Sequence, residues 1–125
     1  MLSDSPFGAT IPSGDLPRSR RFYEQVLGLV PARDLEGEVV YRAGNTVFDV
    51  YPSQHAGSAQ HTLGSFVVRD IRAAVDGLRA RGVTFEEYDL PGLKTVDGVA
   101  QVGPDRVAWF RDPDGNILSL TQENA

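Results

Sequence analysis

The 125-residue sequence contains no cysteine, only two histidines and no run of lysine or arginine. Without cysteine there are no disulfides, no thiolate metal sites and no cysteine nucleophile, which is compatible with a reducing cytoplasm. Twelve Lys and Arg against seventeen Asp and Glu give a net charge of -5, without the clustered cations that bind a phosphate backbone. We therefore expect no nucleic-acid partner.

Long apolar runs are also missing, since none approaches the roughly 20 residues of a membrane-spanning helix. The segment from Met1 to Phe7 has neither the basic region nor the apolar core of a signal peptide. The sequence therefore predicts a soluble, cytoplasmic protein with no membrane partner. Its length suits a single domain over residues 1–125.

Two segments carry helix signals. Asp15 is a good N-cap before apolar residues at helical spacing, which predicts a helix over about 16–27. Asp70 precedes a second amphipathic stripe, which predicts a helix over about 71–81. The two caps stand 55 positions apart, and this spacing indicates an internal duplication.

Extended segments surround each helix, one before it and three after it, so the order β-α-β-β-β occurs twice. The predicted strands are 8–12, 29–34, 39–42 and 46–51 in module one (about 7–53), and 63–68, 84–88, 106–111 and 117–122 in module two (about 61–123). Residues 54–60 form a polar bridge between the modules, and 90–104 reads as a long loop with a short extra strand near 99–102.

Several motifs together carry a family resemblance. They are Asp15-Leu16, Phe22-Tyr23 and Leu27-Gly28-Leu29, then Asp70-Ile71 and Gly82-Val83, and finally Phe110-Arg111-Asp112-Pro113-Asp114-Gly115-Asn116. With these motifs the sequence resembles, over about residues 8–122, the vicinal oxygen chelate superfamily of glyoxalase I, extradiol dioxygenases and the fosfomycin and bleomycin resistance proteins. The motifs are caps, helix-face aromatics and a turn, so they specify the fold and do no chemistry.

The resemblance implies an α+β fold, in which two tandem β-α-β-β-β modules form curled mixed sheets around a cleft, with the helices on the outer faces. It also implies a homodimer with two equivalent clefts and, in catalytic members, one divalent metal. The four family ligand positions fall on Gly8, Asp49, Leu63 and Ser119, and among these only Asp49 supplies a carboxylate. We therefore expect no cofactor, and a divalent metal at an atypical site that includes Asp49 is the less favoured alternative.

If those four positions point inward, strand alternation predicts which side chains line the cleft. The candidate wall residues are Thr10, Asp49, Tyr51, Leu63, Ser65, Ser119 and Trp109. Strand alternation does not determine whether Trp109 faces the core or the cleft. Tyr41 and Tyr88 are further candidate wall aromatics. Asp49 either pairs with an arginine or anchors a cationic or hydrogen-bond-donating ligand.

The remaining polar groups predict no chemistry. His55 and His61 are interpreted as exposed linker residues, and Glu86 and Glu87 as a solvated strand edge. We assign no catalytic residue. The sequence favours a small-molecule binding protein that sequesters an organic ligand without altering it. In one interpretation that ligand is cationic. Two alternatives remain: a glyoxalase-like lyase or isomerase or a dioxygenase that uses Asp49, and a protein-interaction module whose edge strands pair with a second protein.

Overall fold

Two four-stranded sheets with the same strand order make up most of the computed structural model, which describes residues 1–124. The first module contains β1 (Thr10–Ser13), α1 (Leu16–Arg20, continued by a π-helical turn over Arg21–Val26), β2 (Val30–Leu35), β3 (Glu38–Ala43) and β4 (Thr46–Pro52). The second contains β5 (Thr62–Val67), α2 (Ile71–Ala80), β6 (Asp89–Leu90), β7 (Leu93–Lys94), β8 (Ala100–Val102), β9 (Asp105–Arg111) and β10 (Ile117–Gln122). No helix in this part of the chain is long and apolar enough to cross a membrane.

The sheet topology confirms the predicted α+β class and its duplication. The strand orders are β1-β4-β3-β2 and β5-β10-β9-β8, and in each sheet the first and last strands of the module pair in parallel. Asp15 and Asp70 both cap their helices, each through a side-chain oxygen that accepts a backbone N–H. The first helix differs from the prediction only in its winding, because it widens to a π turn after Arg20.

The predicted strand over 84–88 is wrong. This segment makes a single bridge, Phe85 to Phe110, and the fourth strand of the second sheet is β8 instead. Both segments lie along the same free edge of β9, where β8 pairs with its first half and Glu86 donates its backbone N–H to the carbonyl of Trp109. The edge is therefore divided between them, and neither extends along its whole length.

One continuous hydrophobic core joins the two modules. Tyr23, Val50 and Tyr41 of the first module are in the same buried cluster as Phe110 and Leu120 of the second. The aromatic rings pack directly across the boundary, with Phe22 against Phe110 at 6.4 Å between ring centroids. The face of each sheet that carries these residues therefore points inward, towards the helices, and the opposite face points away from the shared core.

The turn between β9 and β10 connects the modules through hydrogen bonds. Asp112 is 5% exposed, and its carboxylate accepts the hydroxyl of Tyr23 at 2.7 Å and the side-chain amide of Asn116 at 2.8 Å. Its other oxygen accepts the backbone N–H groups of Asp114 and Asn116. Asn116 also donates to the carbonyl of Pro12, at the end of the first strand of module one. A motif of the second module thus holds the first one in place.

The bridge at 54–60 is fastened to the same turn. The backbone N–H of Gly57 donates to the side-chain oxygen of Asn116 at 3.0 Å. Gly57 has a φ of 77°, and a Cβ at this position would overlap the carbonyl oxygen of Asp114. Glycine is therefore required here for two reasons, the left-handed backbone and the close approach of the turn.

Replacing Gly57 by alanine tests this contact, with Gly37→Ala as the matched control. Gly37 also has a positive φ, of 86°, but has no atom within 4 Å of its Cβ position. We expect Gly37→Ala to lower the free energy of unfolding by about 1 kcal/mol, and Gly57→Ala to lower it by about 2 to 4 kcal/mol because the overlap adds to the backbone strain. Urea unfolding measures both. Equal losses in the two variants would contradict the role of the Gly57–Asp114 approach.

Two buried tyrosines make the fold sensitive to alkaline pH. Burial, together with the neighbouring Asp112 carboxylate, raises the pKa of Tyr23, and burial, together with the hydrogen bond to Glu24, raises the pKa of Tyr41. Above about pH 10 the unfolded chain loses these protons while the folded chain keeps them, so stability falls by up to about 1.4 kcal/mol per pH unit for each tyrosine. Urea unfolding at increasing pH measures the slope. The slope of Tyr23→Phe should be shallower, and an unchanged slope would contradict this assignment.

Candidate functional site

Each sheet has an open face, which is the face that points away from the shared core. Strand pairing defines one row across each open face. In the first sheet Thr10 and Val40 both pair with Asp49, and in the second Ser65 and Trp109 both pair with Ser119. Directly paired residues point to the same side of a sheet. The two rows are therefore equivalent positions of the duplicated modules.

Asp49 is the chemically distinctive residue of the first open face. It lies in the middle of β4, between β1 and β3, and its side chain is only partly exposed. The Oδ1 atom is shielded from solvent and has no hydrogen-bond partner. None of the ion pairs among residues 1–124 includes Asp49, so the expectation that it pairs with an arginine is wrong. An unpartnered, shielded carboxylate oxygen is an unsatisfied acceptor, and a ligand donor can reach it only if the carboxylate turns towards the open face.

Aromatic and hydroxyl groups characterise the second open face. Phe110 is in the core and the neighbouring Trp109 is on the open face, which settles the facing that strand alternation left undetermined. The Trp109 ring packs edge-on against Tyr88, with 5.5 Å between centroids. The indole N–H of Trp109 donates to the hydroxyl of Thr62 at 3.2 Å. The two aromatic rings are therefore held in a fixed orientation at a partly exposed surface.

The hydroxyl groups of this face are placed by the parallel pairing of β5 with β10. Ser65 and Thr121 share a hydrogen bond of 2.7 Å, and Ser119, which is 3% exposed, lies beneath its neighbours in the row. Tyr51 of β4 pairs with Pro12 and lies on the first open face with Asp49. Contact of these side chains with a ligand stays a prediction.

Two predicted wall residues lie elsewhere. The register of β10 against β5 shifts between Ile117 and Leu118, so Leu63 has no partner in the ladder and packs against the core. Tyr41 is fully buried and donates its hydroxyl to Glu24, because β3 directs odd-numbered residues towards the helix. Thr62 was not among the predicted wall residues. Its hydroxyl contacts Trp109, and it lies next to the register shift between β5 and β10.

The linker and edge residues also differ from their interpretation in part. His55 and His61 are exposed, as expected, but Glu86 forms an ion pair with Arg111 and Glu87 accepts a hydrogen bond from Thr95. The two glutamates therefore have structural partners and do not form a purely solvated edge.

The donor set does not fit a divalent metal. At the four family ligand positions only Asp49 carries a carboxylate. No three His, Asp or Glu side chains come together as a metal-binding group anywhere in residues 1–124. Since a catalytic metal typically has about three protein ligands, we derive no chemical step through a metal ion.

A cavity of about 160 Å³ opens between β1 and β5, where the two sheets meet. Its mouth includes Gly8, Val47 and Ser65, and its inner wall includes Tyr23 and Phe66. A Cβ on Gly8 would lie 2.9 Å from the carbonyl oxygen of Val47, so glycine permits the segment before β1 to approach β4 closely. The sequence analysis placed Tyr23 on a helix face and did not identify this cavity. A glycine in each of the two adjoining segments, Gly8 and Gly64, is a sequence signal for it.

Comparison with known proteins identifies the architecture. The family model described as "Glyoxalase/Bleomycin resistance protein/Dioxygenase superfamily" matches residues 8–120. Among solved structures, UcmS2 is 20% identical with a TM-score of 0.74, covering 93% of this chain and 96% of its own. A glyoxalase family protein from Enterococcus faecalis is 19% identical with a TM-score of 0.72, covering 98% and 100%. TnmS3, described as an antibiotic binding protein from Streptomyces sp. CB03234, is 19% identical with a TM-score of 0.67, covering 96% and 98%.

The contrast between Asp49 and Asp112 predicts opposite effects of substitution on stability. Asp49→Val removes a carboxylate without a partner for Oδ1 and introduces a better strand former, so we expect the free energy of unfolding to rise by about 1 kcal/mol. Asp112→Asn removes a buried acceptor that has partners on both oxygens, so we expect a fall of about 2 to 4 kcal/mol. Urea unfolding of the free protein measures both, and a destabilised Asp49→Val variant would show that the carboxylate has a structural role.

Proposed function

Because the chain belongs to the glyoxalase/bleomycin resistance protein/dioxygenase superfamily, we propose that it binds a small organic molecule on its open faces without altering it. The observation that carries this proposal is the shielded, unpartnered Oδ1 atom of Asp49. Leaving such an acceptor unsatisfied costs the free protein about 1 to 3 kcal/mol. On binding, the carboxylate turns towards the open face, and a cationic or N–H-donating group of the ligand then removes that cost.

The second open face supplies the apolar part of the proposed site. Trp109 and Tyr88 form a fixed aromatic corner, with 5.5 Å between ring centroids. Aromatic side chains held in this way bind flat organic molecules with little loss of conformational freedom. The ligand class that fits both faces therefore has an aromatic or apolar body and a cationic or hydrogen-bond-donating group.

We place the complete cleft between two copies of the chain. Both open faces point away from the shared core, and exposed valines lie on them, with Val47 at 43% and Val67 at 66%. A homodimer in which the first sheet of one copy faces the second sheet of the other covers these residues and brings Asp49 opposite an aromatic corner.

The fold of TnmS3, an antibiotic binding protein, supports binding as a use of this architecture. The absence of cysteine fits action in the cytoplasm.

A panel of cationic aromatic antibiotics tests the proposal by thermal shift and then by calorimetry. A ligand that binds only the folded state raises the melting temperature. We expect at least one member to bind wild type, and Asp49→Asn to weaken that binding by about tenfold or more, since the charge-assisted hydrogen bond is lost. Trp109→Ala should weaken it as well.

Asp89→Asn is the matched control, because it removes the same charge from an exposed position on a different sheet. Equal losses of affinity in Asp49→Asn and Asp89→Asn would show that Asp49 acts only through the net charge of the protein. That result would contradict the proposal. Mass spectrometry of the recovered ligand separates binding from catalysis, since a converted product would replace sequestration by an enzymatic role. Light scattering of the complex measures whether two chains are present.

A further inference from the structure

A second concave surface lies on the helix side of the sheets, opposite the open faces. It is a groove of about 520 Å³ between the end of the first helix and the flank of α2. Its apolar lining includes Phe66, Phe110 and Leu120, which belong to the core face of the second sheet, and Leu27 and Leu29 of the first module. The volume is in the range of small-molecule sites.

The flank of α2 leaves this groove open. Gly77 lines it, and no atom lies within 4 Å of the position that a Cβ would occupy there. Glycine weakens a helix interior relative to alanine, and neither a close approach nor a special backbone angle requires it at this position. The missing side chain therefore leaves the α2 side of the groove open.

Arg81 is the only charged residue that lines the groove within the described part of the chain. Its guanidinium is at the rim and donates one hydrogen bond, at 3.1 Å, to the carbonyl of Val26 at the end of the first helix. A guanidinium carries five N–H donors in a planar fork that matches a carboxylate. One of these donors bonds to the carbonyl of Val26. The guanidinium therefore has further donors beside the apolar groove.

We infer that this groove binds a small amphipathic carboxylate, with the carboxylate on Arg81 and an aliphatic chain over the partly exposed side chains of Leu29, Phe66 and Leu78. The charge at the rim selects an anionic head group, and the apolar floor selects a hydrocarbon body. The site is separate from the open faces, so its existence does not depend on the function proposed for Asp49.

Calorimetric titration of the full chain with hexanoate, octanoate and decanoate tests the inference. We expect affinity to rise about fourfold for each added methylene group, as the hydrocarbon chain leaves water. Octylamine has the same body and the opposite charge, so it should bind at least about tenfold more weakly than octanoate. Equal affinities along the acid series, or equal affinities of octanoate and octylamine, would overturn the inference.

Variants localise the binding to the groove. Gly77→Leu fills the open space and should abolish octanoate binding, whereas Ala73→Leu adds the same side chain at an exposed position of α2 outside the groove and should leave it unchanged. Arg81→Gln should weaken octanoate by about tenfold or more, and it decides the question if Gly77→Leu does not fold. Octanoate binding that survives both Gly77→Leu and Arg81→Gln would overturn the inference. A change in the number of associated chains in Gly77→Leu would also overturn it, because the groove would then be an interface between copies.

Discussion

The buried carboxylate of Asp112 determines how the two halves of the chain are joined. A buried charge is tolerated only when hydrogen bonds replace its hydration, and Asp112 has partners on both oxygens: Tyr23 from the first module, and Asp114 and Asn116 from its own turn. The turn is therefore rigid. Because it is rigid, Asp114 and Asn116 can hold β1, the start of α1 and the inter-module bridge at fixed distances.

The contacts that stabilise the structure and the residues proposed to bind a ligand lie on opposite sides of the sheets. The contacts that hold the modules together lie on the helix side or at the β9–β10 turn, where Tyr23, Phe110 and Asp112 are buried. Asp49 and Trp109 lie on the opposite side of their sheets, where side chains can change without disturbing the core. A fold organised in this way can keep its turn and cap motifs while the side chains of its open faces vary.

Local signals in the sequence were sufficient for the fold and insufficient for the site. Asp15, Asp70 and the turn at 112–116 are short-range features, and the structure forms them as predicted. The segment at 84–88 has strand-like residues, but the edge it would occupy is shared with β8, and this competition depends on residues far along the chain. Leu63 was misplaced for a similar reason, since a register shift is invisible to strand alternation. The groove beside Arg81 exists only where both modules meet.

Asp49 and Asp112 show why residue type alone could not separate a carboxylate proposed to bind a ligand from a structural one. Both belong to the same duplicated framework, and both are partly or fully shielded from water. The difference is in their partners: Tyr23, which is 89 positions away in sequence, satisfies Asp112, and nothing among residues 1–124 reaches the Oδ1 atom of Asp49. The Asp112 network stabilises the join between the modules, so the fold can tolerate one unsatisfied acceptor on an open face. The binding role proposed for Asp49 requires that tolerance.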